Sequence, residues 1–362
     1  MAEWVRRESN KGEIDRAGRI LVGWWRGERL LSDDELNKAY SVVDNWRTCH
    51  SYPLNTFQVN LRSRARRVEP DALVAQRLKR FTSVMNKLAR EQKMALSQMH
   101  DLGGCRAIMS CVDAVDRLAS MYRGLEPDLF QSEGALKIYD YIRHPKPDGY
   151  RGIHIVGRYS ARSESYEAWN GQRIEIQIRS RLQHAFATAV ETVTTFTRTP
   201  LKFGGGPEEW RRFFSLMGSA LALREGTPLV ADTPSTQKAL ARQLRRASQS
   251  LNVKRKLQTW ADALRAVPRR HVRGANWLLM VLDVDKSSVS VVGFVEAEKA
   301  RVALARIEQR PGIGDRFDAV LVWVPSARHL KAAYPNYYAD TREFMAALDM
   351  ILKVEKAASG AL

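Results

Sequence analysis

A seven-residue segment near the middle of the chain alternates strictly between polar and aliphatic side chains. It runs Arg173-Ile174-Glu175-Ile176-Gln177-Ile178-Arg179. In a β-strand successive side chains point to opposite faces, so the three isoleucines share one face and the charged and amide groups share the other. A register shift of one residue would bury the charges. The segment therefore predicts a strand with an apolar face for the core and a polar face for a cleft.

A second segment, earlier in the chain, supplies another carboxylate. It reads Asp101-Leu102-Gly103-Gly104-Cys105-Arg106 and continues as an apolar strand through Ile108. The two glycines let another backbone approach closely. Magnesium prefers oxygen ligands, and arginines neutralise the charge of phosphate oxygens. Together with Glu175, this segment predicts a magnesium–nucleotide site.

Basic residues precede and enter a helix that is expected to begin near Thr82. Lys79 lies just before the helix, Ser83 lies in its first turn, and Lys87 lies one turn later. The free amides of a first turn can bind an anion, and the Ser83 hydroxyl can add to them. The spacing is not that of a P-loop. The pattern predicts either a phosphate cradle or a capped helix with exposed lysines.

The loop Pro145-Lys146-Pro147-Asp148-Gly149-Tyr150 precedes another predicted strand. Two prolines and a glycine favour a loop, and loops held by rigid strands often carry binding side chains. Tyr150 could stack on a purine ring, although a single tyrosine is more often part of a core.

The net charge of +18 predicts a polyanionic partner, either nucleotides, nucleic acid or both. A run of arginines, Arg62, Arg64, Arg66 and Arg67, predicts with equal weight a phosphate-binding surface or a solvated helix face. No apolar stretch reaches the roughly 20 residues of a membrane span, and the first residues do not read as a signal peptide. We therefore expect a cytoplasmic protein without a membrane partner.

Five motifs in order resemble the synthetase domain of the RelA/SpoT family, the alarmone synthetases. They are Arg77-x-Lys79-x-x-x-Ser83-x-x-x-Lys87, Asp101-Leu-Gly-Gly-x-Arg106, Pro145-Lys146-x-x-Gly149-Tyr150-Arg151-x-x-His154, Glu175-Ile-Gln177-Ile-Arg179 and the helix with His184. The resemblance covers residues 60–200. It implies an α+β fold with a mixed, nucleotidyltransferase-like β-sheet flanked by helices. It also implies transfer of the β,γ-pyrophosphate of ATP to a ribose 3′-hydroxyl.

The same resemblance implies a role for each motif residue. Arg77 and Arg106 would sandwich the adenine of ATP, and Lys79, Ser83 and Lys87 would hold its phosphates. Asp101 and Glu175 would carry Mg²⁺ and, with Gln177, form the catalytic set. The acceptor would be bound by Lys146, Tyr150, Arg151, His154 and Arg179.

A narrower resemblance is to the CapRel type, a toxin fused to its antitoxin. It rests on Cys49–Phe57, the Glu175 strand, Trp210–Leu223 and Tyr334-Pro335-Asn336-Tyr337. It implies a C-terminal pseudo-zinc-finger domain whose Tyr334 and Tyr337 block the ATP site until a phage protein binds that domain. It also implies that the acceptor is the 3′-CCA end of tRNA, so that the enzyme inhibits translation in anti-phage defence.

The predicted organisation has four parts. They are an N-terminal helical segment over 1–70 that packs on the synthetase, a RelA/SpoT-like synthetase domain over 71–235, a basic helical connector over 236–273 and a small α+β regulatory domain over 274–362. Three functions remain open. The tRNA-modifying enzyme is favoured by the basic excess, a (p)ppGpp synthetase that uses GDP or GTP comes second, and a non-catalytic nucleotide- or RNA-binding module is third.

Overall fold

The computed structural model describes residues 4–124, 135–197, 201, 205–258, 275, 277–283, 285–286, 288–310, 313, 316–323 and 341–359. The chain divides into two compact units. The first spans residues 1–107, 116–139 and 154–178, and the second spans residues 108–115, 140–153 and 179–362. Among the described residues, no helix combines the length and the apolar character needed to cross a membrane.

The helices include, in chain order, α1 Lys11–Trp25, α2 Asp33–Thr48, α3 Ser51–Val68, α4 Phe81–Arg90, α5 Val112–Ser120, α6 Arg181–Thr197, α7 Glu208–Glu225, α8 Gln237–Ser250, α9 Ala297–Glu308 and α10 Arg342–Ser359. The strands include β1 Leu73–Leu78, β2 Gly103–Met109, β3 Lys137–Asp140, β4 Ile153–Arg158, β5 Arg173–Ser180, β6 Trp277–Asp283, β7 Ser288–Phe294 and β8 Phe317–Trp323.

The strands β1 to β5 form a mixed five-stranded sheet in the order β1-β2-β5-β4-β3, which confirms the predicted α+β class. Strand β5 follows the alternation of its sequence, because Ile174, Ile176 and Ile178 are fully buried. A Cβ atom at Gly103 would lie 2.7 Å from Cδ1 of Ile174. The glycine therefore allows β2 to pack closely against the apolar face of β5.

Local sequence signals explain how the N-terminal helices begin. Ser32 and Glu35 form a capping box at the start of α2. Pro53 lies in the first turn of α3. Proline is tolerated there because a first-turn amide has no partner within its own helix.

The core of the second unit is a layer of helices formed by α6, α7, α8 and α10. Phe344 of α10 is buried among the aromatic rings of α6 and α7. Its ring centroid lies 6.5, 6.3 and 6.2 Å from those of Phe186, Phe213 and Phe214. Further along the same helix, Asp349 forms an ion pair with Lys254. The last helix thus packs on the helices that follow β5.

The strands β6, β7 and β8 form a second sheet in the order β7-β6-β8, and β6 pairs antiparallel with both neighbours. Helix α9 packs on this sheet. In this part of the chain the described elements follow in the order of two strands, a helix, a strand and a helix. The boundaries of the four predicted domains and the pseudo-zinc-finger character of the last one stay predictions. Most of the connector beyond residue 258, as well as Tyr334 and Tyr337, lies outside the described residues.

We expect the substitution Phe344→Ala to lower the free energy of unfolding by about 3–5 kcal/mol, because it removes a buried ring from a packed aromatic cluster. Denaturant unfolding of the full chain measures this change. Met350→Ala is the matched control on the same helix, since Met350 is 52% exposed and should change stability by less than about 0.5 kcal/mol. Equal losses for the two variants would contradict the packing of α10 described above.

Candidate functional site

The carboxylate of Asp101 lies between two ammonium groups. Nζ of Lys79 is 2.6 Å from Oδ2 of Asp101, and Nζ of Lys87 is 3.1 Å from Oδ1. Burial of the carboxylate acts to raise its pKa, but the two lysines outweigh burial and hold the pKa of Asp101 well below its usual range. Asp101 is therefore ionised at neutral pH.

Main-chain structure brings these three residues together. The amide of Lys79, just after β1, donates a hydrogen bond of 2.7 Å to the carbonyl oxygen of Leu102. This bond places Lys79 beside the start of β2, where Asp101 lies, while Lys87 reaches the same carboxylate from α4. The three charged groups thus come from the end of β1, the start of β2 and helix α4.

Helix α4 begins at Phe81, one residue before the predicted start, so Ser83 lies in its first turn. The N-cap residue Arg80 makes no side-chain capping hydrogen bond. The first-turn amides of α4 are therefore not capped by that side chain, and they carry the positive end of the helix dipole. The contact of Ser83 and this helix end with an anion stays a prediction.

The predicted adenine-binding residues lie on neighbouring strands of the sheet. Arg77 lies on β1 and Arg106 on β2, and both are partly buried. Their stacking on an adenine ring stays a prediction.

The carboxylate of Glu175 is held by a histidine and an amide. Nδ1 of His154 on β4 lies 2.8 Å from Oε1 of Glu175, and Nε2 of Gln177 donates a hydrogen bond of 2.7 Å to Oε2. Burial raises the pKa of Glu175 and the charge of Asp101 adds to that effect, but His154 and Gln177 outweigh both and hold the pKa at about 2. The effect of Asp101 on Glu175 means that the two carboxylates lie within electrostatic range of each other.

Sequence reasoning assigned His154 to the acceptor, and this role stays a prediction; in the structure the His154 ring contacts the carboxylate of Glu175. Sequence reasoning missed His100 as a group of this site. Burial and the charge of Lys87 lower the pKa of His100, against the opposing effects of Asp101 and Glu175, so its ring lies near the same charged cluster. Its position next to Asp101 in the sequence was the signal that could have indicated this.

The donor set suits Mg²⁺ held jointly with a nucleotide. Within the described part of the chain, no group of three or more His, Cys, Asp or Glu side chains could hold a metal ion alone. Magnesium, however, is commonly bound by one or two carboxylates together with substrate phosphates and water. Asp101 and Glu175 supply two ionised carboxylates, and the charge of Asp101 acts on Glu175, but their sharing of one magnesium ion stays a prediction.

The second unit contains a separate cluster of two tyrosines and two cations. Nη2 of Arg179 donates a hydrogen bond of 2.5 Å to the hydroxyl of Tyr150, and its guanidinium lies 4.9 Å from the centre of the Tyr150 ring. Nζ of Lys146 lies 5.1 Å from that ring and 4.4 Å from the ring of Tyr141. Three predicted acceptor-binding residues, Lys146, Tyr150 and Arg179, are thus brought together.

The fourth predicted acceptor residue of this unit, Arg151, has structural partners. Its guanidinium is buried and donates hydrogen bonds of 2.9 Å to the Gly149 carbonyl and 2.8 Å to the Pro228 carbonyl. Burial lowers the pKa of Arg151 to about 10. These contacts indicate that Arg151 fixes the loop that carries Tyr150, and a direct contact with the acceptor stays a prediction.

We predict that the double variant Lys79→Met/Lys87→Met becomes less stable relative to the wild type as the pH rises. In the wild type, ionised Asp101 stabilises the fold above the unfolded-state pKa of about 3.9, and this contribution is lost as the pH falls toward the lowered folded-state pKa. Without the lysines, burial raises the folded-state pKa, so the carboxylate destabilises the fold as the pH rises. The free energy of unfolding of the double variant should therefore fall further below that of the wild type between pH 4 and pH 7, until the difference reaches roughly 3 kcal/mol.

Urea unfolding at several pH values measures this difference. Lys11→Met/Lys93→Met is the matched control, because both of those lysines are exposed. A difference between wild type and Lys79→Met/Lys87→Met that stays constant over this range would contradict the assigned pairing.

Comparison with known proteins adds independent information about this region. Residues 76–197 match the family model described as a region found in RelA / SpoT proteins. The GTP pyrophosphokinase YwaC of Bacillus subtilis (strain 168) is 34% identical over 85 residues, which cover 22% of this chain and 38% of that protein. The GTP pyrophosphokinase of Escherichia coli (strain K12) is 26% identical over 178 residues, or 46% of this chain and 21% of that protein.

Among solved structures, the small alarmone synthetase 1 from Bacillus subtilis bound to its product pppGpp is 21% identical, with a TM-score of 0.42. That match covers 51% of this chain and 92% of the synthetase. The matches to the two pyrophosphokinases span only 38% and 21% of their lengths. The matched residues include Lys79, Asp101, His154 and Glu175. Residues 76–197 thus match the region found in RelA / SpoT proteins, and parts of the chain are similar in sequence to parts of GTP pyrophosphokinases.

Proposed function

We propose that this protein is a pyrophosphotransferase that moves the β,γ-pyrophosphate of ATP to the 3′-hydroxyl of a ribose. The observation that carries the proposal is the pair of ionised carboxylates, Asp101 and Glu175, beside two lysines within a RelA/SpoT region. Pyrophosphoryl transfer requires mainly in-line positioning and neutralisation of oxygen charge. These side chains can provide both.

The lysines have two possible partners in the proposed cycle. Without nucleotide, Lys79 and Lys87 are paired with Asp101. When ATP binds, we expect both ammonium groups to shift to its phosphates, with Ser83 and the first-turn amides of α4 as further ligands. The exchange conserves the ion pairing of the lysines and frees the oxygens of Asp101.

Glu175 is suited to orienting a hydroxyl and poorly suited to removing its proton before attack. With a pKa of about 2, it is a weak base. His154 and Gln177 hold its two oxygens and thereby fix its orientation. Asp101 and Glu175 would hold Mg²⁺, and the ion would supply charge neutralisation at the transferring oxygens.

Two acceptors are supported by different observations. The names of the homologous GTP pyrophosphokinases support GDP or GTP, and hence a (p)ppGpp synthetase. The net charge of +18 supports a larger anion, the 3′-CCA end of tRNA, whose pyrophosphorylation would inhibit translation in anti-phage defence. In either case, the cluster of Lys146, Tyr150 and Arg179 offers cations for acceptor phosphates and a ring for base stacking.

The function is tested by incubating the full chain with Mg²⁺ and ATP labelled in its γ-phosphate, together with GDP, GTP or tRNA. We expect label on a 3′-hydroxyl of one of these acceptors, and Glu175→Gln should lower kcat/KM by about 10²-fold or more. Glu167→Gln is the matched control, because Glu167 is exposed. The acceptor that becomes labelled identifies the enzyme. Absence of label from every acceptor, in the wild type and in Tyr337→Ala alike, would support a non-catalytic binding module instead.

The aromatic segment with Tyr334 and Tyr337 provides a second test, which concerns the regulation of the proposed activity. We propose that Tyr334 and Tyr337 occupy the ATP site in an inactive state, and that a phage protein which binds the C-terminal domain shifts the population to the active state. Tyr337→Ala should then raise pyrophosphate transfer about tenfold or more in the absence of a trigger. Tyr338→Ala is the neighbouring control. An unchanged rate in Tyr337→Ala would contradict autoinhibition by this segment.

A further inference from the structure

The arginine run of α3 contains side chains in two different environments. Arg64 is turned toward the protein, where Nε donates a hydrogen bond of 2.7 Å to Oδ1 of Asn60 and Nη1 donates one of 3.0 Å to the Met121 carbonyl. Its guanidinium also lies 5.2 Å from the centre of the Tyr122 ring. Arg64 therefore has a structural role that the sequence pattern alone did not separate from its neighbours.

The other three arginines line an open cavity of about 410 Å³ on another face of the helix. The lining residues are Val59, Arg62, Ser63, Arg66 and Arg67. They recur at intervals of three and four, so they form one stripe along α3. Arg66 and Arg67 are exposed, and Val59 is 45% exposed. The side chains of Arg62, Arg66 and Arg67 have no ion-pair or hydrogen-bond partner among the residues that the structure describes.

Local helix energetics explain this stripe only in part. Arg66 and Arg67 lie in the last turn of α3, where a positive charge is favoured by the helix dipole. Arg62 lies beyond the reach of that effect and one turn from Arg66, so the two guanidinium groups repel each other. A bound anion would remove this repulsion. Arginine also offers a planar fork of donors that matches phosphate oxygens.

We propose that Arg62, Arg66, Arg67 and Ser63 form a binding surface for the sugar–phosphate backbone of RNA, which we call the α3 stripe. From Val59 to Arg67 the stripe extends about 12 Å along the helix axis, which exceeds the reach of a single phosphate group. Its lining contains no aromatic ring that could stack on a base. The α3 stripe therefore suits repeated phosphates and does not suit a mononucleotide. The choice of RNA over other polyanions rests on the proposed function, whose acceptor carries a ribose.

The test measures binding by fluorescence anisotropy, without ATP, using the full chain and a labelled RNA hairpin with a single-stranded 3′ end. We expect Arg62→Gln/Arg66→Gln/Arg67→Gln to raise the Kd about tenfold or more at roughly 0.1 M salt. The slope of the logarithm of the association constant against the logarithm of the salt concentration should become less steep by about 2. The reason is that the variant removes three arginines, and each phosphate contact in a single strand contributes about 0.7 to the slope. The corresponding triple lysine variant should keep most of the affinity.

The matched control removes the same charge elsewhere. Lys238, Arg242 and Arg246 are exposed on α8, and Lys238→Gln/Arg242→Gln/Arg246→Gln should change the Kd much less. Thermal melting verifies that each variant is folded. If the triple glutamine variant does not fold, the three single variants serve instead, each with an expected rise in Kd of about threefold.

Equal losses in the α3 and α8 variants would show that affinity follows net charge, and would overturn the proposal. An unchanged Kd for RNA in the α3 variant would also overturn the proposal. The same holds if a DNA hairpin of the same sequence binds the wild type as tightly as the RNA does and loses as much affinity in the α3 variant. Pyrophosphate transfer to GDP or GTP, measured in parallel, should be unchanged in the α3 variant. Failure of RNA binding and failure of the proposed reaction are therefore separate outcomes.

Discussion

The ion pairs of Asp101 with Lys79 and Lys87 are the interaction on which the proposed chemistry depends. A buried carboxylate without a partner would take up a proton, and a protonated carboxyl group would bind a magnesium ion poorly. The pairing keeps Asp101 charged while the site contains no nucleotide. Because the three charges come from separate elements, the position of α4 relative to β1 and β2 decides whether the site exists at all. The packing of α4 beside β1 and β2 is therefore required both for the fold of the first unit and for the proposed reaction.

The loop of the second unit that carries Tyr150 packs on helix α7. A Cβ atom at Gly149, which has a φ of +86°, would lie 2.7 Å from the Phe214 carbonyl, so only glycine fits where the loop packs on this helix. The hydroxyl of Ser215 on the same helix donates to the carbonyl of Pro147. The ring of Phe214 also packs against Phe344 of α10. One helix therefore supports both the loop that carries Tyr150 and the last helix of the chain.

Much of this could be predicted from the sequence where a local pattern determines the structure. The alternation in β5 predicted its buried isoleucines, and the sequence predicted the start of α4 to within a residue. Partners that come from distant segments could not be predicted. Nothing local indicates that Arg64 faces a carbonyl on another element while Arg66 faces solvent, or that Arg151 holds a loop. The partners of these side chains depend on how distant segments pack together, and the periodicity of the sequence does not encode that packing.

The central claim is that Asp101 and Glu175 hold one magnesium ion together with ATP. Paramagnetic resonance of bound Mn²⁺, titrated with a non-hydrolysable ATP analogue present, measures it most directly in the wild type, Asp101→Asn, Glu175→Gln and the double variant. A shared ion predicts that each single substitution weakens Mn²⁺ binding about tenfold or more, and that the double variant binds little worse than either one. Additive losses, or normal binding in both single variants, would contradict the claim.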